Sequence, residues 1–528
     1  MANKNILLIE PGYKNKYPPL GLMKLASYHG PYGKKDNVRF IKGELDKSVL
    51  DMTWDRIYVT TLFSFEWATI AKSIEFALQA SHNQSSKVFV GGIAASLMHE
   101  DFIAESRWRG IRFIKGLLTD PPAIALELDD FAEELYSDDR YSQPIEDLIP
   151  DYSILDQLQD GYVYPVHDAY FAYASRGCVR KCHFCGVPKL EGAQRDAQSI
   201  TAIVRGIDER HGVKKDLTLM DNNVTASSNF RNIIAEIRDL GFTPGARLHR
   251  PGKPPVLRRV DFNQGVDARI LCKDKMFLKE MSTICLKPLR IAFDHIGLRR
   301  PYETAIRYAH EFGLNDLSNY MLYNFHDSPA DLYERMRLNI EFNVELGTRI
   351  FSFPMRFQPT DLKDRSFIGK HWNRYYLRSM QTILQATHGI VSGSPEFFRR
   401  AFGSTFEEFE SLLLRPEKFI FNRVWYEELD GRAEFDEFSA SFRRLSEDDK
   451  KELSDLLSSS RPSRFKALVH MTTNKNVQSI LRWYNPLTND EASNIWESTR
   501  IAKTARKQED LAIPDDERIE DAGLAEAA

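Results

Sequence analysis

The stretch Ser175–Lys189, SRGCVRKCHFCGVPK, gathers three of the chain's five cysteines, Cys178, Cys182 and Cys185, into a C-x3-C-x2-C run. Three readings compete for it. At i, i+4 and i+7 the thiols would share one face of a helix as small buried hydrophobes. Gly177 before the run, Gly186 and Pro188 after it, and Arg180 and Lys181 inside it favour an exposed loop instead. A structural zinc site needs four ligands, commonly as C-x2-4-C pairs. His183 could be a fourth, but it is wedged between two of the thiols, and Cys272 and Cys285 lack a paired spacing. The third reading is a [4Fe–4S] cluster. Cubane iron is normally held by four cysteines, so three would leave one iron open to a small molecule, as catalytic zinc keeps one position open.

Such a loop must be placed by regular elements, and the pattern around it reads as α/β. Over residues 1–120, NILLIEP, DRIYVTTLFS and KVFVGG alternate with amphipathic stretches, the pattern of βαβ units on a parallel sheet. Ligands of that Rossmann-like sheet belong at Pro11–Tyr13, Thr61–Phe65 and Gly91–Ala95. Residues 121–164 are acidic and loop-like, a connector. From 165 to 360 six β-like runs recur between helical patterns: Tyr170–Ala174, Asp216–Met220, Val260–Val266, Leu289–Phe293, Tyr320–Asn324 and Arg349–Pro354. That repetition predicts a partial (β/α)6 TIM-type barrel, with functional residues at the carboxyl ends of its strands. Residues 361–500 read as an α-rich C-terminal region, and 501–528 as a polar, disordered tail.

Composition narrows the function classes. A net charge of −4 over 528 residues gives no global attraction to polyanions or anionic membranes, so such a partner would need a local patch. The apolar run Ile6–Ile9 is too short for a signal peptide, and no later segment is long and apolar enough for a membrane span. These features and clustered, odd-numbered cysteines predict a cytoplasmic protein without a disulfide framework.

Polar residues recur at the expected strand ends. LTLMDNNVTAS places Asp221, Asn222 and Asn223 after the second strand, where an Asp/Asn turn is the plain alternative. In DFNQGVDARIL, strand alternation puts Asn263, Gly265, Asp267 and Arg269 on one face beside Gln264. An Asp267–Arg269 salt bridge would satisfy two of these by itself. Asp294 and His295, then Asn324, His326 and Asp327, then Arg356, follow the later strands. His295 could donate a proton to a product.

Phe184 immediately before the last cysteine, the C-x3-C-x2-C spacing and the position after a first strand together resemble the radical S-adenosylmethionine enzymes. The resemblance implies Cys178, Cys182 and Cys185 as ligands of a [4Fe–4S] cluster and Phe184 against the adenine of S-adenosylmethionine. It implies reductive cleavage to a 5′-deoxyadenosyl radical. Asp221, Asn222 and Asn223 occupy the place of a motif that holds the methionine amine, although the usual Gly-Gly-Glu is absent. Asn263, Gln264, Asp267, Arg269 and Arg356 would line the cofactor cavity, with Asp294 and His295 as catalytic groups. A reductant such as flavodoxin or ferredoxin is the implied partner.

YPPLGLMKLASY and VFVGGIAAS further resemble the cobalamin-binding-like front domain of one subclass of that family. The Asp-x-His-x-x-Gly motif is missing, and His29 and His82 are the histidines of the first 97 residues, so bound cobalamin is not expected. A cobalamin-dependent methyltransferase stands as the alternative within the class. The alternative outside it is a non-catalytic zinc or iron–sulfur interaction protein. A basic stretch, GARLHRPGKPPVLRRVDF, with Arg247, His249, Arg250, Lys253, Arg258 and Arg259, is expected near substrate entry, either to meet a phosphate-bearing or nucleic-acid substrate or as a solvated loop.

Overall fold

The computed structural model describes residues 3–118, 144–158 and 162–512, with side chains to 504. Its contacts divide the chain into two units. One comprises Met1–Phe293, Gly297–Tyr320 and Phe357–Phe367, the other Asp294–Ile296, Met321–Arg356 and Ile368–Ala528.

The first unit opens with five strands, β1 (Asn5–Glu10), β2 (Asn37–Lys42), β3 (Arg56–Thr61), β4 (Val88–Gly92) and β5 (Arg112–Phe113), in the order β2-β1-β3-β4-β5. Every pair is parallel. Ile6, Leu7, Leu8 and Ile9 are all fully buried, as a strand covered on both faces must be. The order reverses beside β1, which puts the sheet's natural crevice outside the carboxyl ends of β1 and β3.

Further strands follow: β6 (Ala169–Ala172), β7 (Ser175–Arg176), β8 (Arg195–Asp196), β9 (Asp216–Leu219), β10 (Arg247–Arg250), β11 (Lys253–Leu257), β12 (Val260–Phe262), β13 (Leu289–Arg290) and β14 (Asp316–Tyr323). β6, β9 and β12 form a parallel sheet in chain order. The helices Ile200–His211 and Phe230–Asp239 supply the connections. Single parallel bridges, Val260–Leu286 and Val266–Ile291, carry the order on toward β13, and β13 pairs parallel with β14.

The six expected runs each contain a strand, but two three-stranded sheets replace one continuous barrel sheet. The expected strand Val260–Val266 stops at Phe262, because Gly265 turns the chain at φ +80° and Asp267 caps a helix at Ala268–Leu271. The strand-face alternation expected for Asn263 to Arg269 therefore does not exist.

In the second unit the helix Pro329–Leu346 starts on a capping box of Ser328 and Asp331 and ends on Gly347 in the left-handed conformation. β15 (Arg349–Arg356) follows it. A helical region then packs around buried aromatic side chains that include Tyr375, Phe419, Tyr426, Phe438 and Trp483. The last helix runs Asn489–Ala512, so residues 501–512 of the expected disordered tail are helical. Residues 513–528 of that expectation, and 121–143 and 159–161 of the connector, lie outside the described residues. Among the described residues no helix is long and apolar enough to cross a membrane.

Candidate metal centre

The cysteine loop is built on the end of β6 and closed like a purse. β7 and β8 pair antiparallel at its neck, and the Cys178 N–H donates to the Gly192 carbonyl at 3.2 Å. Gly177 has φ +75°, and a Cβ there would lie 2.1 Å from the Ala193 oxygen, so only glycine allows the two sides of the neck this close. Glu191 seals it. One of its oxygens accepts from the Gly177 N–H (2.8 Å) and Asn222 Nδ2 (3.0 Å), and the other pairs with Arg176 at 3.3 Å.

Arg176 also meets Glu146, which in turn pairs with Lys24 of the front domain at 3.1 Å. On the far side of the loop, Gly186 packs against Leu97, also of the front domain. A string of largely buried charges thus ties front sheet, connector and loop together. Pairing is what makes such burial tolerable.

Asp221 anchors the loop's entrance. Its carboxylate accepts from the Ala174 N–H at 3.0 Å, the Ser175 N–H, and the Ser175 hydroxyl at 2.6 Å. Burial pushes its carboxyl up to about 6, against the pull of those three donors. Asn222 also reaches toward the Gly177 carbonyl at 3.4 Å, and Asn223 accepts from the Thr225 hydroxyl at 2.7 Å. The trio expected to hold a cofactor amine is engaged in shaping the loop.

Cys178, Cys182, Cys185 and Phe184 are half-buried, His183 is exposed, and none of the five cysteines is in a disulfide. The Arg180 N–H points at the Cys178 sulfur and the Val187 N–H at the Cys185 sulfur, both at 3.4 Å. Arg269 hydrogen-bonds to the Cys182 side chain. Each sulfur therefore has a donor beside it. Among the described residues no three His, Cys, Asp or Glu side chains come together as ligands of a single ion.

Asp267 organises the cations. It accepts from Arg180 Nε at 2.6 Å and Arg269 Nε at 2.8 Å, and these hydrogen bonds hold its carboxyl below the usual range despite burial. The Asp267–Arg269 salt bridge considered from sequence is present, with Arg180 as a second partner. Asn263 is buried and accepts from the Tyr17 hydroxyl at 2.6 Å, while its carbonyl accepts from Tyr320 at 3.0 Å. Gln264 is exposed.

Asp294, His295, Asn324, Asp327 and Arg356 fall in the second unit. His295 is exposed, Arg356 is half-buried, and the Asp294 carbonyl accepts from Arg335 at 3.2 Å. Arg335 is fully buried and also pairs with Asp327 at 3.2 Å. Glu191, Arg180, Arg176 and Tyr17 were missed from sequence, since a single Glu, Arg or Tyr carries no spacing signal.

The carboxyl end of the front sheet is filled from within. Glu10 pairs with Lys42 at 2.7 Å and accepts from Asn15 at 2.7 Å and from the Tyr164 hydroxyl. Tyr13 accepts from the Leu62 N–H at 2.9 Å. Of the two histidines, His29 is buried between Asp36 and Tyr58, each at 2.9 Å, and burial holds its imidazole down at about 4. His82 sits exposed in a turn with φ +53°.

The basic stretch is not near the loop's end of the sheet. Arg247–Arg250 and Lys253–Leu257 form an antiparallel hairpin, Arg250 pairs with Asp168 just before β6, and Arg258 donates to Lys214 and Lys215 carbonyls just before β9. Parallel strands put those amino ends opposite the carboxyl ends that carry the cysteines.

No family model and no curated protein matches the chain. Among solved structures it is similar to the radical S-adenosylmethionine methyltransferase TsrM from Kitasatospora setae, solved with cobalamin and a [4Fe-4S] cluster bound. That match has a TM-score of 0.44 and 15% identity, over 69% of this chain and 78% of that one. The cobalamin-dependent S-adenosylmethionine radical enzyme OxsB, in its apo form, matches with a TM-score of 0.45 and 13% identity, over 96% and 80%. SuiB from Streptococcus suis bound to S-adenosylmethionine matches with a TM-score of 0.28 and 12% identity, over 42% and 47%. At these identities and scores the likeness assigns no residue and no activity to this chain.

Proposed function

We propose that the chain is a radical S-adenosylmethionine enzyme whose Cys178, Cys182 and Cys185 hold a [4Fe–4S] cluster. The observation that carries this is the three-thiol loop with Phe184, clasped at the carboxyl end of the first of several chain-ordered parallel strands. When bound, the cluster would supply the electron that cleaves S-adenosylmethionine at its one iron without a protein thiolate.

The chain's own residues do the rest. Glu191 and Asp221 fix the loop's ends, so that the thiolates are pre-positioned rather than gathered on binding. Backbone N–H groups at Arg180 and Val187, with Arg269, stabilise negative charge on the sulfurs. Phe184 offers an apolar surface for a purine. A one-electron reductant of the flavodoxin or ferredoxin type is the partner this chemistry requires. The Glu10, Lys42 and Tyr164 side chains in the front crevice support a scaffold role for that sheet without cobalamin, and hydroxocobalamin should not be taken up stoichiometrically.

The test is anaerobic reconstitution with iron and sulfide, reduction, addition of S-adenosylmethionine, and assay of 5′-deoxyadenosine. The wild type should bind about four irons and make the nucleoside, and Cys182→Ala should abolish both. Zinc in place of iron, with no cleavage, would favour the interaction-protein reading.

A further inference from the structure

The helical region of the second unit contains a groove of about 380 Å3 that the proposed chemistry leaves unused. Its floor is apolar, with Ile383, Ala401 and Ile420 all buried. Two aromatic side chains on its walls are left in water, Phe421 at 50% exposure and Trp496 at 64%. Large exposed rings beside a concave apolar surface mark a place where something else packs.

The groove is also cationic. Arg400, Arg423 and Lys503 line it. Arg400 and Arg423 share Glu427 with a third guanidinium, Arg415, at 3.7, 3.5 and 3.8 Å, and Glu428 serves Arg400 as well. Three guanidinia therefore meet two carboxylates. Burial, and after it the neighbouring Arg423, hold Arg415 down at about 10. One wall atom, the Thr499 Oγ1 hydroxyl, is buried without a hydrogen bond. An acceptor brought by a ligand would remove the cost of leaving a donor unmade.

We propose that this groove binds a small organic anion with a flat aromatic body, its acidic group meeting Arg400, Arg423 and Lys503 and its ring lying against Trp496 and Phe421. The volume falls within the range of small-molecule sites. The site stands independently of the cysteine loop, so it holds whatever chemistry that loop performs.

Anilinonaphthalene sulfonate carries both features, and phenylnaphthylamine has the same rings without the acid. On the full-length chain the sulfonate should bind saturably at one site, quench Trp496 by energy transfer, and bind about tenfold more tightly than the neutral amine, the size of one charge-assisted contact. Arg400→Gln and Lys503→Gln should each weaken the sulfonate several-fold and leave the amine unchanged. Trp496→Ala should weaken both probes. Arg400 is half exposed, and Lys503 and Trp496 are exposed, so these variants keep the fold. Equal affinity for the two probes would overturn the proposal. So would sulfonate binding that survives the double charge substitution.

Discussion

The two parallel sheets of the first unit end in opposite ways. At the carboxyl end of the front sheet, Glu10, Lys42, Asn15 and Tyr164 bond to one another, and the crevice is closed by its own side chains. At the carboxyl end of β6, the buried carboxylates of Asp221, Glu191 and Asp267 hold backbone and guanidinium groups, while the thiols stay half-buried. Topology marks both ends as places where a ligand can sit. Whether the polar groups there satisfy one another, or instead position something left over, separates a scaffold from a site.

The contrast can be broken from either side. Lys42→Met should have the largest effect on stability, about 3 kcal/mol, because it strands the buried Glu10. It should lower the melting temperature yet leave iron bound per folded chain unchanged. Loss of iron without loss of stability would erase the distinction. Glu191→Ala should weigh the other way, since it opens the neck of the loop and lowers cluster affinity about 10–100-fold, as removing support behind metal ligands does, while Arg176 keeps Glu146 as a partner and the loss in melting temperature stays below that of Lys42→Met. Iron retention against a chelator measures it.

Arg269→Met removes the cation beside Cys182, so the cluster's reduction potential should move negative, by the equivalent of about 1 kcal/mol after solvent screening. Redox titration by electron paramagnetic resonance would read the shift, and a potential that does not move would place Arg269 outside the field of the proposed cluster.

A separate expectation concerns pH. Asp221 titrates at about 6 when folded against 3.8 as its ordinary value. A raised acid pKa means stability that is fully present below about 4 and lost as pH rises through about 6. Wild type should therefore melt progressively earlier from pH 4 to pH 7, and Asp221→Asn should remove that component of the slope. A slope unchanged in the variant would show that Asp221 does not titrate in this range.

The thiols, the strands and the helical C-terminal region were legible in the chain because their signals are local. Thiolate spacing carries ligand chemistry, and apolar periodicity carries strand and helix. Reading Asn263 to Arg269 as one strand face failed, since a single left-handed glycine redirected the backbone. Placing the basic stretch near the loop failed because which end of a sheet a connection occupies is a property of topology.

The amino-acid sequence by itself determined that three closely spaced thiols would lie on a loop after a β-strand, among βα units. Only the tertiary structure decided what holds them there. Glu146 lies 30 residues before Arg176 and Tyr17 lies 246 before Asn263. Asp267 meets Arg180 across 87 residues. Charges and hydroxyls of that kind have no periodicity to read, and they acquire a role only when folding buries them beside a partner and makes an unpaired alternative costly.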